Sequence, residues 1–233
     1  AVLQTAVAWP SVTVKDNKAY LISGNAFYQV YDFALNSWTQ VTASVLPRYS
    51  KIFNWNGDLY VLGGQLYNST TGTWADATSI CKLTAPGTWE ATTTTLRAGY
   101  PNAELIGDEV IFAGGNQDGS WVSSVRAYNM STGITRSIGV MRSSGGVPVS
   151  LSFSATTVKD GKLLSFGGNI QSGGDGTENN ALYAIDPVAN SVGITFRSSQ
   201  LRRYASAVSA SEGVYIYGGA QGNTQLNTMF LMT

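Results

Sequence analysis

Histidine is absent from all 233 residues. That absence removes Ser-His-Asp and Cys-His catalysis, histidine-bound zinc or copper, and imidazole proton shuttling. Cysteine is nearly absent as well. Cys81 stands alone, so no disulfide forms within the chain and cysteine says little about compartment. In the stretch Ser79–Leu83 it reads as a small apolar strand residue rather than a reactive thiol. Charged residues make up only 12 % of the chain, against roughly 25 % in an average globular domain. Lys and Arg number 14, as do Asp and Glu, so no net field draws the chain to nucleic acid or to an anionic membrane. No apolar run approaches the roughly 18 residues of a spanning helix, and no membrane insertion is expected.

What the chain does have is glycine, serine, threonine and β-forming apolar residues, the composition of a turn-rich β protein. It also repeats. "LYVLGGQ" at Leu59–Gln65 returns as "VIFAGGN" at Val110–Asn116, "LLSFGGN" at Leu163–Asn169 and "VYIYGGA" at Val214–Ala220. A weaker copy, "AYLISGN", stands at Ala19–Asn25. The first residues of the pairs are Ser23, Gly63, Gly114, Gly167 and Gly218, at intervals of 40, 51, 53 and 51. Fourteen residues before each lies Trp9, Tyr49, Tyr100, Phe153 or Tyr204. Aromatics are 11 % of the chain, so five of five at one offset is a register and not an accident.

Between aromatic and glycines the pattern predicts a hairpin. Ser50–Trp55, Ser154–Lys159 and Ala205–Ala210 read as first strands, and the apolar run before the glycines as the second. Asp16-Asn17, Asn56-Gly57, Gly107-Asp108, Asp160-Gly161 and Glu212-Gly213 supply tight turns. A third strand follows at Gln29, Ser124 and Leu182, leaving through Asp or Asn. A fourth is expected at Thr39–Ser44 and Glu90–Thr95. Four strands per roughly 50 residues is one propeller blade. The expectation is a single all-β domain of five four-stranded blades, near 9–48, 49–99, 100–152, 153–203 and 204–233 plus 1–8. In this reading Ala1–Val7 supplies the missing outer strand of the last blade and closes the ring; in the alternative, a piece of a larger ring, Ala1–Val7 pairs elsewhere.

The pattern resembles the kelch repeat: an apolar strand ending in Gly-Gly, a Tyr-Asp-like strand exit, then Trp. "VYDFALNSW" at Val30–Trp38 is the best match to its second half. The resemblance covers essentially the whole chain, with two departures. Ser23 replaces a glycine, and five blades fall short of the usual six or seven. Kelch propellers include copper-radical oxidases, whose site requires histidines and a Cys-modified tyrosine. Without histidine that activity is excluded, and no cofactor is expected.

In this strand order the fourth-to-first and second-to-third loops share one face. That places Trp9, Tyr49, Tyr100, Phe153 and Tyr204 together at the channel mouth, with Arg48, Arg97 and Arg203 beside them. The same ring of aromatics would also arise from packing between blades. The residues after the glycines, Asn25, Gln65, Asn116, Asn169 and Ala220, join this face. Trp74 and Trp121 lie in the individual second-to-third loops, where rings beside amides and hydroxyls suit sugar stacking or a protein contact. The kelch resemblance implies that this face carries ligand or partner contacts. The acids of these loops are Asp76, Asp118, Asp175 and Glu178; a glycosidase would need two of them facing each other, with Asp118, Asp175 or Glu178 as its candidates. Lys51 and Glu104 are unusual charges on inner strands. The loop "GGDGTENN" lacks the acidic alternation of a calcium loop, and no metal is expected.

Sequons at Asn68 and Asn129, few lysines and many hydroxyls point to an extracellular or cell-surface glycoprotein. The leading expectation is a non-catalytic recognition module for a glycan or protein ligand. The alternatives are a structural protein that self-associates through its faces, and a carbohydrate-active enzyme.

Overall fold

The computed structural model describes residues 1–24, 26–44, 46–94, 96–170 and 177–233. Among them every regular element is a strand, and no helix is long and apolar enough to cross a membrane. The chain divides into two compact units, Ala1–Tyr100 and Pro101–Thr233.

The first unit holds two four-stranded antiparallel sheets, each in simple sequence order. They are Ser11–Lys15, Lys18–Ile22, Phe27–Asp32 and Ser37–Thr42, then Lys51–Trp55, Asp58–Leu62, Ser79–Ala85 and Thr88–Thr93. The second unit holds three. The third sheet is Ala103–Ile106, Glu109–Ala113, Ser124–Asn129 and Thr135–Val140. The fourth is Ala155–Lys159, Lys162–Phe166, Ala181–Asp186 and Ser191–Arg197. The fifth has three strands, Ser206–Ala210, Gly213–Tyr217 and Met229–Met232.

Local chemistry sets these boundaries. Asp16-Asn17, Asn56-Gly57 and Asp160-Gly161 all have positive φ at both residues, the geometry that two-residue hairpins demand. At the third-to-fourth turns the strand-exit carboxylate or amide caps the backbone. Asp32 Oδ1 accepts from the N–H groups of Ala34 and Leu35, Asn129 Oδ1 from Ser131 and Thr132, and Asp186 Oδ1 from Val188 and Ala189. This compact turn explains why the fourth strands start earlier than expected. Ser37 already pairs with Asp32, so Trp38 is inside the strand.

Each unit has its own apolar core. In the first, Ile22, Tyr28, Leu46, Ile52, Leu59, Val61, Cys81 and Trp89 pack between the sheets. Cys81 is a buried apolar contact whose thiol pKa is raised by that burial. Tyr28 meets Trp89 edge-on at 5.8 Å and accepts from the Gly87 N–H at 3.2 Å. In the second unit, Ile111, Val125, Met141, Leu151, Leu163, Tyr183 and Ile185 join the third and fourth sheets. Phe166, Val214, Ile216 and Met232 join the fourth and fifth. Glu104, on an inner strand, has its carboxylate held by the Thr156 hydroxyl at 2.6 Å.

Two expectations need correction. Ala1–Val7 forms no strand. Its main chain and polar side chains bind the first sheet instead: the Gln4 and Thr5 main-chain N–H groups donate to Gln29 Oε1, and the Thr5 hydroxyl donates to Gln40 Oε1. Gln29, fully buried, returns a bond to the Thr5 carbonyl. A buried amide demands such partners, and this demand takes the segment. The fifth sheet accordingly keeps three strands. The second-to-third connections are also not plain loops. They fold into small pairings, Gln65–Asn68 with Thr73–Asp76, Asn116–Gln117 with Ser120–Trp121, and Ala220–Gln221 with Thr224–Gln225.

The glycine pairs fasten each blade to the next linker. The second glycine's N–H donates to a carbonyl two residues before the following aromatic: Gly64 to Ala98 at 2.7 Å, Gly115 to Leu151 at 2.8 Å, Gly168 to Arg202 at 2.7 Å. A Cβ on Gly64 would lie 2.4 Å from the Arg48 carbonyl oxygen, and one on Gly168 2.5 Å from that of Ser152. At φ of +85° and +84° these positions disfavour a side chain on torsion alone.

At the first turn of the fifth sheet, Glu212 accepts from the Tyr215 hydroxyl at 2.6 Å and the Ser211 hydroxyl at 2.8 Å. These bonds, Tyr215 foremost, pull its carboxyl down to about 2. A depressed carboxylate contributes above its ordinary pKa and loses that contribution as pH falls through about 2. Carbonyl-detected NMR titration is expected to show this, with Tyr215→Phe returning Glu212 towards the ordinary range. An unchanged value in the variant would assign the shift elsewhere.

Candidate functional site

All five repeat aromatics have left-handed backbone: φ is 49° at Trp9, 57° at Tyr49, 49° at Tyr100, 57° at Phe153 and 58° at Tyr204. Bulky residues avoid this region, at a cost of order 1–3 kcal/mol each. Glycine would relieve the torsion, yet each position holds a ring. The rings form ladders. In the first unit Trp9 lies 5.0 Å from Tyr49, and Tyr49 lies 4.5 Å from Tyr100. In the second, Phe153 lies 4.6 Å from Tyr204, whose N–H donates to the Phe153 carbonyl at 3.0 Å. The ladders are not buried: Trp9 is 54 % exposed and Tyr204 42 %.

The residue before the aromatic is fixed by main-chain bonds to the residue after the glycines. Arg48 and Gln65 exchange two N–H to carbonyl bonds at 2.9 Å, and Arg203 and Ala220 do so at 3.0 and 2.8 Å. Ser152 pairs with Asn169 in the same register. These pairings bring the two kinds of loop together within each unit.

In the first unit the side chains then converge. The Arg48 guanidinium sits over the Trp74 ring at 3.2 Å and near Tyr49 at 4.9 Å. Its Nη2 donates to Gln65 Oε1 at 3.3 Å, and Gln65 Nε2 donates to Asp76 Oδ1 at 3.3 Å. Tyr67 flanks Trp74 at 5.1 Å. Burial raises the Tyr100 phenol, Tyr49 adds to the shift and Arg48 opposes it. Trp74 stays 44 % exposed. Arg97 is exposed, three residues before Tyr100.

In the second unit Arg203 lies 5.4 Å from the Tyr204 ring and donates to the Gly222 carbonyl at 2.7 Å. Trp121 is half-buried on its small hairpin, opposite Asn116. Asn116 is buried, and its Oδ1 accepts from the Gly119 N–H across the turn. Asn169 is buried too. Both amide side chains are therefore withdrawn from solvent. Asp118, at φ 51°, makes the turn of that hairpin. Asn25 and Asp175 lie outside the described residues, as does the Glu178 side chain. Among the described residues no cluster of three or more His, Cys, Asp or Glu is placed to hold a metal.

Sequence reasoning missed Arg202. It is 2 % exposed, and among the described residues it has no carboxylate partner. Nη1 donates to the carbonyls of Gly218 and Thr228, Nη2 to the Thr228 hydroxyl, and the guanidinium faces Phe230 at 4.8 Å. Burial lowers its pKa. A signal was present: the matching positions two before the aromatic are Pro47, Ala98 and Leu151, all apolar and buried.

Five successive antiparallel sheets in this order define a β-propeller-like fold. Among solved structures, one described as the structure of YjhT has a TM-score of 0.72 and 13 % identity, covering 95 % of this chain and 80 % of that one. At such identity the likeness speaks for fold alone. No family model matches the sequence, and no curated protein matches it.

Proposed function

We propose that this chain is a non-catalytic, kelch-like recognition module, secreted or cell-surface, that binds a glycan or protein ligand. The proposed surface is the side of each unit that carries the aromatic ladders and the second-to-third hairpins. The observation that supports it most is the retention of an aromatic residue at all five left-handed positions, where torsion favours glycine. Exposed rings beside Arg48 and Arg203 offer flat apolar contact with fixed polar edges, which suits a sugar face or an extended peptide.

Trp9→Gly and Tyr204→Gly separate recognition from packing. Each relieves unfavourable torsion, so thermal stability is expected to hold within about 1 kcal/mol. Binding on a glycan or peptide array is expected to fall at least tenfold, or about 1.4 kcal/mol. Intact binding together with a large loss of stability would assign the ladders to packing instead. Concentration-dependent oligomers in sedimentation without any array signal would favour assembly through the faces.

A further inference from the structure

A concave site lined by none of the ladder aromatics lies in the second unit. The linker after the third sheet, longer than the others, folds into its own hairpin. Ser143 N–H donates to the Val147 carbonyl, Gly146 N–H to the Ser143 carbonyl, and Val149 N–H to the Met141 carbonyl. Its base is anchored from below: the hydroxyl of Tyr183, a buried residue, donates to the Arg142 carbonyl at 3.0 Å. Beside this hairpin is a pocket of about 290 Å³ lined by Arg142, Ser143, Ser144, Tyr183 and the strand segment Val192, Gly193, Ile194.

One guanidinium lines this pocket, and a second contacts its lining at Ser144. Arg142 lines it, with Nη1 on the Gly146 carbonyl. Arg197 reaches Ser144 Oγ at 3.5 Å from the fourth sheet and donates to Asn180 Oδ1 at 3.1 Å. All of these acceptors are neutral. Elsewhere in the second unit Arg136 pairs with Glu109 and Lys162 with Asp186. In a chain with only 12 % charged residues, these two cations have no acid partner among the described residues, which favours an anion here. Among the described residues no acid lines the pocket.

We infer that this pocket binds the oxyanion group of a small ligand, a phosphate, sulfate or carboxylate, through Arg142, Arg197 and the Ser143 and Ser144 hydroxyls. The arginine forks match such an anion in shape and charge. The pocket volume exceeds what a bare oxyanion fills, leaving room for a small body attached to it.

The test is calorimetric titration of the intact chain with inorganic phosphate, inorganic sulfate and acetate at constant chloride. Saturable one-to-one binding by at least one of the three is expected, and the preferred anion identifies the source. Arg142→Ala and Arg197→Ala are each expected to weaken it about tenfold or more, and Arg197→Lys by less. Lys162→Ala removes the same charge outside the pocket and is expected to leave affinity unchanged. Both arginines are exposed, so thermal midpoints of the variants are expected to match the parent. Failure of all three anions to saturate below about 10 mM would overturn the proposal. So would equal weakening by Lys162→Ala, which assigns the effect to net charge.

Discussion

Gly64→Ala is expected to lose about 4 kcal/mol in urea denaturation. Two causes add. The torsion at φ +85° disfavours any Cβ, at about 1 kcal/mol. The new methyl also meets backbone, 2.4 Å from the Arg48 oxygen and 2.8 Å from the Ser50 nitrogen. Those atoms cannot swing aside as a side-chain tip can, because the Arg48 carbonyl accepts from the Gln65 N–H. Relief therefore requires separating the linker from the hairpin that carries Trp74. Gly107→Ala is the control. Its φ is +59°, and an added Cβ meets nothing within 4 Å, so only about 1 kcal/mol is expected. If the two substitutions cost the same, close backbone approach is not what the glycine pair serves. The Arg48–Trp74 stack gives a second readout: the near-ultraviolet signal of Trp74 is expected to change in Gly64→Ala and stay put in Gly107→Ala.

Arg202→Ala is expected to cost about 3 kcal/mol, through two mechanisms that Arg202→Leu can separate. Alanine leaves a cavity against Phe230 and removes the donors to the Gly218 and Thr228 carbonyls. Leucine refills part of the volume without restoring a donor. Burying the guanidinium itself carries a desolvation penalty, which offsets part of the gain and keeps the figure below that of an ion pair broken in the core. If leucine recovers nearly all the stability, the arginine serves as volume. If it recovers little, the clamp on Gly218 and Thr228 is what matters. The Arg202 main-chain carbonyl, which both variants keep, accepts the Gly168 N–H, so loss of the side-chain clamp on Gly218 and Thr228 is expected to loosen the fourth and fifth sheets together in hydrogen exchange.

The sheets were legible because their signals are local and repeated. Asn56-Gly57 and Asp160-Gly161 announce hairpins by torsion, and the glycine pairs recur in register with the aromatics. The strained backbone of those aromatics was not legible. Side-chain type alone gives no hint that Tyr49 or Tyr204 sits at positive φ, a conformation imposed by the linker bonds on either side. The small hairpin Gln65–Asn68 with Thr73–Asp76 was half-written in the sequence. Asn68 and Gly72 mark its turn, with Asn68 Oδ1 accepting from the Thr70 and Thr71 N–H groups, but its strands are short and mostly polar and so lack apolar alternation. The Arg48–Trp74 stack joins residues on two separate segments, and only the pairing of Arg48 with Gln65 brings them together. The fate of Ala1–Val7 turned on one buried amide, Gln29, whose need for partners no strand pattern reveals.

The Arg48–Gln65 and Arg203–Ala220 pairings are each held by two main-chain bonds, with the Arg48 to Gln65 side-chain bond an addition in the first only. The pairing itself therefore places little demand on those four half-buried side chains, and the partner of the arginine already differs, Gln65 in one repeat and Ala220 in the other. Randomising them is expected to yield folded proteins at a high rate, so the same framework can be retargeted without redesigning its core. An engineer seeking a new binder would vary these positions first and leave the glycines beside them untouched.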